Sequence, residues 1–168
     1  MLRVEVLALS GPAFSALADG DLAAADAASP VPLPPVFADP DWAPVWRLRA
    51  AQAAADPAVA EWVTGVVWDP DRRLAVGRAG FHGPPDERGT VEIGYAVLPE
   101  HRRRGYARAA LAAMLDRARA DPAVRVVRLS IAPDNVASLA VARPFGFVEV
   151  GQEVDPDDGL EIVYELPV

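Results

Sequence analysis

A single α/β domain, with a mixed, mostly antiparallel sheet and helices on both faces, is the architecture this sequence predicts. Three observations lead to it. Three strand-like segments follow one another with only Asp-Pro and Gly-Pro-Pro turn signals between them; a segment of helical period follows; and the remaining strands enclose one more short helix. The order strands, helix, strand, helix, strands is met by one sheet with helices on its faces. The 168 residues suit one core, so 1–168 is expected to be one domain.

Residues 3–9 alternate like an opening strand, and Ser10-Gly11-Pro12 starts a helix through Leu17, with Ser10 as its cap. From Ala28 to Pro44 the prolines 30, 32, 34, 35, 40 and 44 forbid regular helix. This predicts a long surface segment, a candidate lid over the acceptor site. Residues 46–55 read as helix, and 62–68, 74–81 and 90–97 as an antiparallel meander. Ala107, Leu111, Met114, Leu115 and Ala118 recur at helical spacing until Asp121-Pro122. A strand over 124–131, a helix over 135–143, and a hairpin of 145–150 with 160–166 around Asp157-Asp158-Gly159 complete the chain.

Composition narrows the function classes. There is no cysteine, which removes disulfides and a thiolate nucleophile, and two histidines give no His-rich metal centre, so no metal is expected. No apolar run reaches 18 residues and the N-terminus lacks a signal-peptide pattern, so a cytoplasmic protein without a membrane association is expected. A formal charge of -8 argues against nucleic-acid binding. The chain has no lysine, every basic side chain being arginine, a bias that by itself assigns no function.

The segment that carries chemistry precedes and enters the long helix: Arg102, Arg103, Arg104, Gly105, Tyr106, Ala107 and Arg108. Helix N-termini favour anions, so arginines there are mildly unfavourable unless an anion offsets them. First-turn N–H groups without intrahelical partners supply the complement, and Gly105 allows close approach. The segment reads as a diphosphate cradle or, on the bland view, as a solvated charge run. No Walker lysine and no G-x-G-x-x-G spacing accompany it. A Gly-x-Ser-x-Gly elbow is also missing, and position twelve of the only calcium-like register is Leu166.

Arg102-x-x-Gly105-x-Ala107, following the strand Val91 to Val97, resembles the acetyl-CoA motif of the GCN5-related N-acetyltransferases. Asn135-Val136-Ala137-Ser138, followed by Pro144-Phe145-Gly146-Phe147, resembles that superfamily's downstream block. Gly80-Phe81-His82-Gly83 and the tail to Tyr164 are similar to the subgroup of ribosomal-protein N-terminal acetyltransferases. The resemblance implies acetyl-CoA as cosubstrate and a sheet splayed after the strand ending at Val97. There the backbone of Tyr95, Ala96 and Val97 pairs with the pantetheine arm, residues 102–108 hold the diphosphate, and Asn135 and Ser138 face the thiol end. Arg103 stands where the family pattern has glycine, and Ala142 where many relatives have a proton-donating tyrosine.

Acyl transfer needs a neutral amine, a stabilised oxyanion and a protonated leaving thiolate. Glu92 is the candidate base, or else a solvated strand residue; Ser138 is the candidate acid, or else a helix cap. The resemblance implies an oxyanion donor at a backbone N–H near Val97. Tyr95 and Tyr106 are expected to pack beside the cofactor, and His82 and His101 to be structural or solvent-facing. Trp42 and Trp46 either line the acceptor site or anchor the core. Acid-rich ends favour a cationic amine acceptor: a peptide N-terminus, a polyamine or a small amine metabolite. A homodimer is a further possibility. A non-catalytic acyl-CoA sensor on the same fold is the alternative function.

Overall fold

A computed structural model, which describes residues 2–168, arranges the chain as β1 (Glu5–Leu7), α1 (Gly11–Ala18), α2 (Leu22–Ala27), α3 (Ala43–Ala55), β2 (Gly65–Asp69), β3 (Leu74–Phe81), β4 (Thr90–Val97), α4 (Tyr106–Ala120), β5 (Val126–Ile131), α5 (Val136–Ala142), β6 (Val148–Asp155) and β7 (Gly159–Pro167). The strands form one sheet in the order β1-β2-β3-β4-β5-β7-β6. Every neighbouring pair is antiparallel except β4 with β5. The expected meander, long helix and final hairpin are all present.

One apolar core lies under α4, whose buried side is Tyr106, Ala110, Leu111, Met114, Leu115 and Ala118, residues that recur three and four apart. A second, on the opposite face, gathers Phe14 and Leu17 of α1, Trp46 of α3 and Val66 of β2. Among the described residues no helix is long and apolar enough to cross a membrane.

Several boundaries differ from the expectation. The opening strand is confined to Glu5–Leu7, and β2 begins at Gly65 because a 3-10 turn over Pro57–Glu61 precedes it. α3 starts at Ala43, ahead of the expected Trp46, since Pro44 sits in its first turn, where the missing N–H has no intrahelical bond to make. α2 was not expected: Asp21 Oδ1 caps it by accepting from Ala24 N at 3.0 Å, but six alanine-rich residues carry no period. The proline-rich stretch is no simple surface loop. It folds into two 3-10 turns, Pro35–Ala38 and Pro40–Trp42, and inserts Leu33 and Phe37 into the core. Trp46 Nε1 donates to Phe37 O at 2.7 Å, which fixes that insertion.

The feature that positions the site is a split in the sheet. β4 and β5 pair only at Thr90, Val91 and Glu92 with Val126, Val127 and Arg128. Beyond Glu92, β4 continues to Val97 bonded only to β3. The splay therefore opens five residues earlier than the resemblance implied, within the strand rather than at its end.

Candidate active site

Alternation along β4 decides which backbone groups face the split. Glu92 O accepts from His82 N at 2.8 Å, and Leu98 N donates to Val76 O at 2.9 Å, so the even-numbered residues bond toward β3. The odd-numbered Tyr95 and Val97 turn theirs to the open side. Arg102 Nε takes the Val97 carbonyl at 3.1 Å, leaving the Tyr95 backbone and the Val97 N–H toward the opening. A groove of about 380 Å³ runs along this edge, bringing Tyr95, Ala96, Val97, Arg102, Ala107, Asn135 and Ser138 together as expected.

At the groove's outer end Gly105 has φ +87° and no side chain caps α4, so the first-turn N–H groups are available. Arg102, Arg103, Arg104 and Arg108 are all exposed around it. Among the described residues none of the four has a carboxylate within ion-pair distance. Arg103 itself has φ +57°, the left-handed region that glycine favours, which explains why a glycine is at home there.

Tyr106 departs from its expected role. Its side chain is 3% exposed, and its hydroxyl donates to the wholly buried Asp69 at 2.6 Å, so it faces the core, not the groove. Only its main chain remains near the cradle. Burial alone would raise the Asp69 pKa; hydrogen bonds from Tyr106 and from the Arg72 backbone and guanidinium outweigh it and hold the carboxyl below its ordinary range. His101 packs edge-on against the Tyr106 ring at 6.0 Å, a structural role as expected.

At its inner end the groove meets a cleft of about 460 Å³ lined by Glu92, His82, Tyr95, Ser138 and the acidic residues Glu153 and Glu161. Glu92 is partly exposed there, with its Oε1 3.8 Å from His82 Nδ1. His82, expected to be structural or solvent-facing, was missed as a cleft residue. Its imidazole is half-exposed, yet the cleft strips enough solvent to lower its pKa, Glu92 pulling the other way. Like charge accumulates on the facing strands: burial, then Asp158, Asp155, Glu92 and Glu153, raise the Glu161 pKa.

Asn135 Oδ1 accepts from Ser138 N at 3.1 Å, so its side chain caps α5. The Tyr95 hydroxyl is buried without a hydrogen bond. Burial raises its pKa, and the neighbouring Ser138 hydroxyl offsets part of that rise. A buried orphan hydroxyl, an unpaired strand edge and an uncapped helix start ringed by unpartnered arginines together fit acetyl-CoA lying along the split. Ala142 is buried, so α5 offers no polar group there. Trp46 is fully buried and Trp42 half-buried, with the Arg78 guanidinium 4.6 Å from its ring centre.

A family model described as Acetyltransferase (GNAT) domain matches residues 17–148. An uncharacterized N-acetyltransferase of Bacillus subtilis (strain 168), YjdG, is 35% identical over 78 residues, 46% of this chain. The chain thus spans about half, 46%, of that curated relative's length. The fold matches a ribosomal-protein-S5-alanine acetyltransferase from Vibrio fischeri with TM-score 0.66 and 15% identity over 99% of this chain and 94% of that one. It matches a spermidine N-acetyltransferase chimera from Vibrio cholerae and hSSAT with TM-score 0.66 and 17% identity, covering 98% and 95% of the two chains.

Proposed function

Since this chain belongs to the acetyltransferase (GNAT) domain family, we propose that it is an acetyl-CoA-dependent N-acetyltransferase whose acceptor is a primary amine, cationic in solution, that attacks the thioester directly from the Glu92 cleft. The observation that carries this is the junction of groove and cleft: the open β4 edge meets Glu92, His82, Tyr95 and Ser138 at one place. Similar folds belong to proteins named for spermidine, a polyamine, and for an alanine of ribosomal protein S5, which supports the class without choosing within it.

Acetyl-CoA supplies an acetyl group activated as a thioester. The Tyr95 carbonyl and the Val97 N–H are suited to hold the pantetheine arm, and the α4 start with Arg104 and Arg108 to hold the diphosphate. The acid-lined cleft draws in the ammonium form of the acceptor, and Glu92 beside a neutral His82 takes its proton, a requirement at neutral pH because free amines are largely protonated. The Tyr95 N–H, where the open edge meets the cleft, donates to the developing oxyanion, which leaves the Tyr95 carbonyl and the Val97 N–H to the pantetheine arm. Ser138, next to the Tyr95 hydroxyl, serves the departing thiolate; Tyr95, kept protonated by burial, is the stronger reservoir of the two. Cytoplasmic residence and a homodimer belong to the same reading, and a monomeric mass by light scattering would remove the latter.

Calorimetric titration with acetyl-CoA, CoA and ATP, followed by thiol release with a panel of amines, tests the reading. CoA-selective binding with amine-dependent thiol release supports it. Selective binding without release for any amine would favour the sensor, to which the apolar Ala142 position already lends some support.

A further inference from the structure

Beside the catalytic cleft lies a second chamber, of about 390 Å³, between α3 and the sheet. The two share the lining residues His82, Gly94, Tyr95 and Asp158, so they adjoin. Two arginines line the second chamber, and neither has an acidic partner. Arg49 is 5% exposed and spends its donors on neutral groups: Nε on Thr64 Oγ1 at 3.0 Å, and Nη1 on Gln52 Oε1 at 2.8 Å and His82 O at 3.2 Å. Arg78 stacks on Trp42, and its Nε is buried with no hydrogen bond at all. Among the described residues no carboxylate comes within ion-pair distance of either guanidinium.

Buried charges in proteins are ordinarily paired, because desolvating an uncompensated ion is costly. Here a buried Arg49 and a half-buried Arg78 are held together: burial first, and then Arg78, bring the Arg49 pKa down to about 10. The chain carries 24 acidic residues, yet this chamber pairs none with its cations. Asp157 and Asp158 border it from the β6–β7 turn, but Asp155 ties that turn by accepting both of their N–H groups at 2.8 Å.

Resting on the acetyltransferase reading above, we propose that the acceptor carries a carboxylate several ångströms from its amine, and that Arg49 and Arg78 hold this carboxylate while the amine reaches Glu92. Arg78 pairs with Ala96, and Gly80 with Gly94, on the same face as Glu92, so between Arg78 and Glu92 these two strands add no side chain larger than a methyl, and the Thr64 backbone covers Gly80 while the His82 imidazole lies over Gly94. Ala96 lies four residues from Glu92, about 13 Å along the strand, a gap that the long Arg78 and Glu92 side chains shorten from both ends. Gly94 makes room for the His82 imidazole, since a Cβ there would stand 3.0 Å from His82 Nε2, and an acceptor reaching from Arg78 to Glu92 passes beside this ring. A carboxylate suits the site better than a phosphate dianion, which the bordering Asp157 and Asp158 would repel more strongly. The acceptor is then an ω-amino acid or a short peptide with a free C-terminus; a polyamine would leave both arginines unpaired.

The test compares each acid with its neutral amide: 6-aminohexanoate with 6-aminohexanamide, and alanylalanine with alanylalaninamide. Thiol release gives kcat/KM, and calorimetry with the unreactive N-acetylated dipeptide and its amide gives affinity without turnover. We expect the carboxylate form to be favoured at least tenfold by both measures, the ratio to fall to about one in Arg78→Gln, and Arg78→Lys to restore part of it. Turnover or binding indifferent to the carboxylate, or a ratio unchanged in Arg78→Gln, would overturn the proposal while leaving acetyl transfer intact. Carboxylate-selective binding without thiol release from any amine would instead overturn the transfer reading and uphold the anion site.

Discussion

Tyr106 shows how a residue beside the cradle can serve the core instead. Its place in the helical series with Ala110, Met114 and Ala118 was a signal in the sequence that it faces inward, outweighed by its adjacency to Gly105. Tyr106→Phe removes the hydroxyl that satisfies buried Asp69, a loss of about 1–3 kcal/mol that calorimetric unfolding at neutral pH would register. The wild type should also show the acid signature of that contact. A carboxyl held below its unfolded pKa contributes stability fully above about 3.9 and loses it as the pH falls through its depressed folded value. In Tyr106→Phe the folded value is less depressed, so that loss is smaller and complete at a higher pH. Glu92→Gln should lower kcat/KM by about 10²-fold or more at neutral pH, the usual worth of a positioned base; an unchanged rate assigns the proton to another group. His82 could not have been placed beside Glu92 from the sequence, because only the β3–β4 register brings them together. Tyr95 stood out in the sequence only by its place before the arginine segment, and its orphan hydroxyl is a property of packing.

The start of α4 behaves as a unit. Replacing Arg104 and Arg108 together with Ala should weaken CoA binding several-fold or more while leaving the melting temperature within about a degree or two, since both side chains are exposed and unpaired. The backbone of the same unit is probed by Arg103: Val at its φ of +57° should cost about 1–2 kcal/mol relative to Gly, read as a difference in melting temperature between the two variants. Elements with a strong period or explicit turn residues, such as α4 and the meander, were legible because local chemistry specifies them. α2 was not, since a capping aspartate and six residues carry little information. The prolines announced an irregular stretch correctly, but whether irregular backbone lies outside or plugs a core depends on Phe37 finding Trp46, a contact between elements.

At the scale of the molecule, two half-sheets, β1 to β4 and β5 to β7, are joined edge to edge by three paired residues. A ligand lying along the unpaired remainder adds the strand contacts the protein lacks. Saturating acetyl-CoA at about 100 times its dissociation constant should add about 2.7 kcal/mol, and the shift in melting temperature, on the order of 5–10 °C, reads it directly. Hydrogen exchange should slow at Tyr95 and Val97, whose amides face the split, before it slows at Gly94 and Ala96, which already bond to β3. Fold class was legible because alternation and turns count elements; the cleft was not, because it exists only between strands whose pairing stops early.

The cradle that surrounds the α4 start is built of guanidinium groups alone, in a chain with no lysine. An acyl donor held at high local concentration threatens nearby nucleophilic amines, and an ε-amine in such a place would be blocked and stripped of its charge. Guanidinium groups stay protonated and are poor nucleophiles, so an anchor of this kind is inert toward the acyl donor proposed for it. Prolonged exposure to excess acetyl-CoA should therefore leave the arginines unmodified by intact-mass and peptide analysis, and repeated turnover should not erode the affinity on which it depends.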